Sequence, residues 1–361
     1  MDDIDFNRRR VTAGMAITAL GLTSITLARA ANGARGGQGQ GQPERPFKVI
    51  AMDPSFGRII APDAQLEPII TIPGVSGEGP VWRNGALWYS DQKGGSIYAV
   101  TPQGKSREVL KLAGGPVDDT KTFSQGPNAI VAYKDGAVLF CRQGMRDIAI
   151  MDKNGKVSPF LSTYEGKRFN SPNDMVIGHD GTLWFTDPPF SLPGWRGRKP
   201  GAPEPAARQI PFNGVFRYKD GHLAPVITDM VTPNGPGLSP DGRTFYVNNT
   251  APGPLVRAYD VGDTGNLSNM RVIADFRTNS DWGRGYPDGL KVDSAGNVWT
   301  TGPGGIIIIS PSGKTLGRIQ TPSTATNMAF GERDYKSLFI VSGATVYRLR
   351  TVIKGQVPTY A

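Results

Sequence analysis

Six times along this chain a single polar residue (Glu, Asn or Asp) opens an apolar run, which a tight turn closes before a second strand-like run begins. The units are EGPVWRNGALWYSD from Glu78, NAIVAYKDGAVLFC from Asn128, NDMVIGHDGTLWFTD from Asn173, NGPGLSPDGRTFYVN from Asn234, DGLKVDSAGNVWTTG from Asp288 and NMAFGERDYKSLFIV from Asn327. In the first five, a turn glycine (Gly85, Gly136, Gly181, Gly242, Gly296) follows the polar residue by seven or eight positions. Strand-and-turn units recurring at roughly 40 to 60 residues are the pattern of a β-propeller. The expectation is therefore an all-β, six-bladed propeller of four-stranded antiparallel blades. Each unit then delivers its polar residue to an equivalent place around one central axis.

The composition narrows the alternatives. A single cysteine, Cys141, excludes an intramolecular disulfide and a cysteine-based zinc site. It lies in the run AVLFC, so a buried apolar role is expected. The two histidines, His179 and His222, sit beside turns and away from the polar stops, which argues against a Ser–His–acid triad and a histidine-rich metal site. Lys and Arg number 40 against 31 Asp and Glu, a net charge of +9, but the basic residues are scattered and form no stripe. Nucleic-acid binding is not expected. The surplus suits solubility or attraction of anionic substrates.

Residues 1–30 look like an export segment of the twin-arginine type. Asn7-Arg8-Arg9-Arg10-Val11 precedes a short, weakly apolar stretch from Ala13 to Leu27, and Ala28-Arg29-Ala30 supplies small residues at a cleavage spacing. That pattern implies a periplasmic protein with no stable membrane insertion after processing. A flexible Gly/Gln-rich tether is expected over 31–62, the propeller over 63–352 and a C-terminal tail over 353–361. LEPIITIP (66–73) belongs to no complete unit, while the last unit runs out near Arg350 without an outer strand. The N-terminal strand therefore completes the final blade and closes the ring. Matching aromatics in the second strands (Trp88, Phe140, Trp184, Phe245, Trp299, Phe339) are expected to pack between blades. Two loops fall outside the repeat, 191–209 and 279–286, and their Trp195, Arg196, Arg198, Trp282 and Arg284 are candidates to touch a substrate at the rim.

The innermost strand of each blade lines the channel, so a residue at its start sits at the channel mouth. Turn chemistry alone accounts for Pro-Asn-Gly and Pro-Asp-Gly taken singly. It does not account for recurrence in phase, or for Glu78, a poor turn former. Carboxylate and amide oxygens without Cys or His form a hard-oxygen set, suited to Ca²⁺ or Mg²⁺ more than to zinc or copper. The candidate ligands are Glu78, Asn173, Asn234 and Asp288, with Asn128 and Asn327 beside them.

The stretches GEGPVW (77–82), KRFNSPNDMV (167–176), WFTDPPF (184–190), NGVFRYKDG (213–221), TPNG with LSPDG (232–242) and YPDGLKVDSAGNVW (286–299) closely resemble the gluconolactonase, senescence-marker-protein (regucalcin) and luciferin-regenerating-enzyme family. The likeness is closest to its secreted bacterial gluconolactonases and spans about 66 to 350. It implies a propeller with one divalent metal on the axis, Ca²⁺ first, with Mg²⁺, Mn²⁺ or Zn²⁺ as alternatives. The family's ligating Glu, Asn and Asp fall on Glu78, Asn234 and Asp288, and its Asn-Asp pair near metal and substrate on Asn173 and Asp174. A channel-facing asparagine found in many members falls on Asn128. The implied activity is hydrolysis of a sugar lactone by polarisation of its carbonyl and attack of water, with Asp288 as general base, Glu78 able to share that role, and Asn173 and Asn128 orienting substrate or water. Hydrolysis of another ester or an organophosphate, or a non-catalytic propeller rigidified by its metal, are the competing expectations. The sequence leaves the oligomeric state open. It departs from the family pattern at Gly235-Pro236-Gly237, where an apolar pair is common, at Ala129, where glycine is usual, and at Asn248-Asn249, where an acid is common.

Overall fold

The computed structural model describes residues 45–115, 125–195 and 202–360. The expected export segment, the first part of the tether, and Arg196 and Arg198 lie outside the described residues. The remainder is a six-bladed β-propeller, with no α-helix among the described residues.

Each unit of the repeat is one antiparallel blade running from the axis outward. Blade 1 spans Gly77–Arg83, Ala86–Asp91, Ile97–Val100 and Ser106–Leu110, and blade 2 runs through Pro127–Ala132, Val138–Arg142, Asp147–Met151 and Val157–Leu161. Blades 3 and 4 have Met175–Ile177 and Pro233–Leu238 as inner strands, blades 5 and 6 Leu290–Val292 and Asn327–Gly331. The turn glycines of the first five units all hold φ between +70° and +86°, the left-handed region that a Cβ disfavours. In the sixth unit Tyr335 takes that place at φ +53°, eight residues after Asn327. Its half-buried ring packs against two buried core clusters, and its carbonyl accepts a hydrogen bond from Gly355 N at 2.8 Å.

The second-strand aromatics fill the seams between blades. Trp184 stacks on Phe245 across blades 3 and 4 with ring centroids 4.9 Å apart, and Phe339 stacks on Trp82 across blades 6 and 1 at 5.2 Å. Trp88 and Phe140 share a core cluster between blades 1 and 2. Such pairs add about 0.5–1.5 kcal/mol each beyond the area they bury. Cys141 is buried among apolar side chains in the next seam.

Leu66–Thr71 pairs antiparallel with Thr345–Arg350 as the outer strand of blade 6, so the chain's two ends close the ring, as the unmatched strand implied. The tether expected over 31–62 ends earlier than its composition suggested. Lys48–Ala51 pairs with Thr315–Gln320 as a fifth strand on blade 5, and Phe56 in the following turn is buried against Gly317. The apolar Val49, Ile50 and Phe56 make that edge pairing favourable.

The stretch after the last blade strand lies across the far end of the channel. Gly355 bridges to Asp293 of blade 5, Gln356 Nε2 donates to Leu238 O of blade 4 at 2.9 Å, and Thr359 Oγ1 donates to Ile177 O and Gly178 O of blade 3 at 3.2 and 3.1 Å. Tyr360 ends edge-on to Tyr133 of blade 2, 5.7 Å between centroids.

Candidate active site

Inner strands of neighbouring blades are hydrogen-bonded near the channel mouth, and this sets the polar residues side by side. Ala129 N donates to Asn173 O at 3.1 Å, Gly235 N to Asp288 O at 2.9 Å and Gly289 N to Thr326 O at 2.9 Å. Such approach leaves no room for side chains. A Cβ on Gly235 would lie 2.3 Å from Asp288 O, one on Gly237 2.4 Å from the Leu290 side chain. The Gly235-Pro236-Gly237 departure is thus what lets blade 4 bring Asn234 against Asp288.

Glu78, Asn128 and Asn234 each sit where the pairing register slips, between Glu78 and Val81, Pro127 and Ile130, and Pro233 and Pro236. A bulge re-aims a side chain that regular alternation would send into a seam. Asn173 and Asp288 precede their inner strands, held by Asn173 N to Thr186 O (2.9 Å) and Asp288 N to Thr301 Oγ1 (2.8 Å).

Glu78, Asp174, Asn234 and Asp288 converge at the axis, together with Asn327. Glu78 and Asp174 are each 3% exposed and Asn234 2%, while Asp288 is half-buried. Glu78 Oε2 accepts from Gly79 N at 2.8 Å and from Asn327 Nδ2 at 3.1 Å, and the same amide nitrogen donates to Asp174 Oδ2 at 3.3 Å. The Asp288 carboxyl stands close enough to the Asn234 amide and the Glu78 carboxyl for both to act on its ionisation. Burial pushes the Glu78 carboxyl up to about 7, opposed by its Asn327 and Gly79 hydrogen bonds and assisted by the charge of Asp174. Burial, followed by the charges of Glu78 and Asp174, holds Asp288 well above the ordinary carboxylate range, and burial also raises Asp174.

Asn234 supplies the informative atom. Its Nδ2 donates to Thr250 Oγ1 at 3.0 Å, so its Oδ1 is turned away from Thr250, and this buried oxygen has no hydrogen-bond partner. An unpartnered buried acceptor costs about 1–3 kcal/mol. Beside it stand the crowded carboxyls of Glu78 and Asp288. Among the described residues no three of His, Cys, Asp and Glu are grouped to hold a metal by themselves, so a cation here needs amide oxygen as well as carboxylate. Two carboxylates and an orphaned amide oxygen, gathered from three blades, fit a divalent hard cation.

The remaining expected residues lie around this group or away from it. Asn128 and Asn173 are buried at the starts of their blades; the Asn128 carbonyl accepts from Ser90 Oγ at 2.6 Å, and the Asn173 carbonyl from Ala129 N. Trp195 is half-buried in its own loop with the Arg208 guanidinium 5.9 Å from its ring centroid. Arg284 is exposed on the 279–286 loop, where its carbonyl accepts from Gly304 N. The structure thus joins neither of these two to the axial group.

Three supporting residues went unassigned in the sequence. Asp187 is fully buried, and its carboxylate accepts from Asn170 N (2.8 Å) and Ser171 N (2.6 Å), pinning the segment that presents Asn173 and Asp174. Its place in WFTDPPF was the available signal. Asn248, one of the departures, donates to Asp288 O at 2.8 Å and to Thr300 Oγ1 at 2.9 Å, so an amide does the tethering there. Lys291, on the inner strand of blade 5, reaches Asn327 Oδ1 at 3.3 Å.

The family model described as the SMP-30/Gluconolactonase/LRE-like region matches residues 76–344. The chain belongs to this family. Among its relatives, a gluconolactonase from Zymomonas mobilis is 32% identical over 84% of this chain and 86% of its own length. A pentonolactonase from Haloferax volcanii is 27% identical over 74% of this chain and 81% of its own. The solved structure of a Xanthomonas campestris gluconolactonase superposes with a TM-score of 0.71 at 28% identity, covering 86% of this chain and 99% of that one.

Proposed function

We propose that this protein is a metal-dependent lactonase that opens a sugar lactone of the aldonolactone class. The observation that carries the reading is the meeting of Glu78, Asn234 and Asp288, from three separate blades, around an amide oxygen with no partner in a chain whose relatives are named as lactonases. Glu78, Asn234 and Asp288 would hold a divalent cation, with Asn173 adjacent, and Ca²⁺ is preferred for an all-oxygen set. Such an ion supplies Lewis acidity toward the lactone carbonyl.

The chain's own side chains carry the rest. Glu78 has one oxygen committed to Gly79 and Asn327, which leaves Oε1 for the site. Asp288, half-buried at the mouth, takes the proton from the attacking water and returns it to the ring oxygen as the C–O bond breaks. One water is consumed, and the product is the open hydroxy acid. The amides of Asn128 and Asn173 donate and accept, so they suit substrate hydroxyls. The reading includes export to the periplasm, supported by the NRRRV start and the A-x-A spacing near Ala30.

Acid release from glucono-1,5-lactone tests the proposal. Turnover is expected to vanish on chelation and return with Ca²⁺ or another divalent ion. In the same assay Asp288→Asn is expected to lose roughly 10²–10⁴-fold in kcat while remaining folded. Chelator-resistant turnover overturns the metal's role, and near-normal rates in the variant remove Asp288. A folded, metal-loaded protein inert toward lactones and esters would be a binding propeller.

A further inference from the structure

Glu78 and Asp288 take part in the proposed reaction, but the Asp174 carboxyl, the Asn327 amide and the nearby ammonium of Lys291 do not. Lys291 projects from Leu290–Val292, whose Leu290 and Val292 pack into the seam with blade 4. Alternation along the strand turns Lys291 away from that seam, and it is half-buried in the wall of a channel cavity of about 140 Å³ that Asp174 also lines. Its Nζ donates to Leu290 O at 2.9 Å and to Asn327 Oδ1 at 3.3 Å.

Those bonds fix Asn327. Its Oδ1 accepts from both Lys291 Nζ and Met328 N, the latter at 2.9 Å, so its NH₂ must face Glu78 Oε2 and Asp174 Oδ2. A flipped amide would set its oxygen against two carboxylates and its NH₂ against an ammonium. The ammonium also attracts both carboxylates through the channel. The charge count then closes: Glu78, Asp174 and Asp288 carry three negative charges when ionised, Lys291 one positive, and a divalent cation the remaining two.

We propose that Lys291 is a positioning residue of this site: it orients the Asn327 amide and is the built-in counter-charge that lets Glu78, Asp174 and Asp288 stand together. The inference rests on the cation-site reading only for its last two charges. Removing one partner of a buried charged set leaves the others uncompensated and destabilises the fold.

The test is thermal melting at pH 8 of the wild-type protein, Lys291→Met and the double variant Lys291→Met with Asp174→Asn, each with chelator and with saturating Ca²⁺. Lys291→Met in chelator is expected to melt about 5 °C lower than wild type, the shift of a few lost charge contacts in a chain of this size. With Ca²⁺ the deficit shrinks, so the ion's stabilising shift is larger in this variant than in wild type. The double variant, which removes one charge of each sign, recovers most of the loss in chelator. A loss of the same size in both conditions, no loss at all, or no recovery in the double variant overturns the proposal. If Lys291→Met does not fold, a folded double variant supports it and an unfolded one overturns it. Absence of any Ca²⁺ shift in wild type would sink the cation site while the chelator comparison still judges Lys291.

Discussion

Glu78 shows what a single side chain can report about the whole site. Its carboxyl is raised from 4.5 to about 7, chiefly because burial penalises its charged form. An acid raised by folding contributes stability that is complete below its unfolded pKa and is lost as pH climbs through the folded one. Metal-free protein is therefore expected to lose roughly 3 kcal/mol at this group between pH 4 and 8. Asp174 and Asp288 shift in the same direction. Melting temperatures in chelator across that range should fall, and a saturating divalent cation should flatten the decline by favouring the ionised carboxylates. A level profile without metal would show that the carboxyls are not crowded as described. Glu78, Asn234 and Asp288 were legible beforehand because polar residues in phase with a repeat are conspicuous. Lys291 was not. It follows Leu290 in a strand where alternation sends it to the opposite face, and only the neighbouring blade's Asn327 reveals that this face is interior.

The elements were legible wherever local chemistry repeats. Alternating apolar residues, a glycine at the turn and an aromatic in the second strand marked the inner and second strands of the blades. The bulges were not legible, because a register slip depends on the partner strand. Gly79 makes the point: it holds φ +53°, and a Cβ there would lie 2.2 Å from Asn128 O of the next blade. GEGPVW displays the glycine but not the carbonyl it must clear. Gly79→Ala is expected to cost about 1–3 kcal/mol from strained backbone, with more from the steric clash, and to misdirect Glu78. Calorimetric melting beside Ca²⁺ titration checks both effects; an unchanged melting temperature and affinity would mean the inner strands tolerate separation. The fifth strand of blade 5 escaped notice for a related reason. Lys48–Ala51 is only four residues long beside a Gly/Gln-rich run, and its partner strand lies near the opposite end of the chain, at Thr315–Gln320.

At the scale of the molecule, ring closure by Leu66–Thr71 could be inferred because one strand was missing from one unit and one was spare. The course of the residues after Arg350 could not. Nothing in KGQVPTY is periodic, and its hydrogen bonds are made with backbone groups of blades already complete. Deleting 355–361 is expected to lower the melting temperature by about 3–6 °C, in line with several lost hydrogen bonds and a half-buried ring contact. Differential scanning calorimetry decides it, and an unaltered transition would make the segment ornamental.

A circular stack of wedges is most exposed at its closing junction, and here that junction is the seam where two distant parts of the chain meet without a covalent link, through ladder hydrogen bonds, packed apolar side chains and the Arg348–Glu67 ion pair. The segment from Gly355 to Tyr360 runs like a chord beneath blades 5, 4, 3 and 2, so that prising the seam apart also stretches a tie across the opposite side. Rigidity at the hub, which keeps three oxygens from three wedges in register, is thereby shared between the circumference and the diameter.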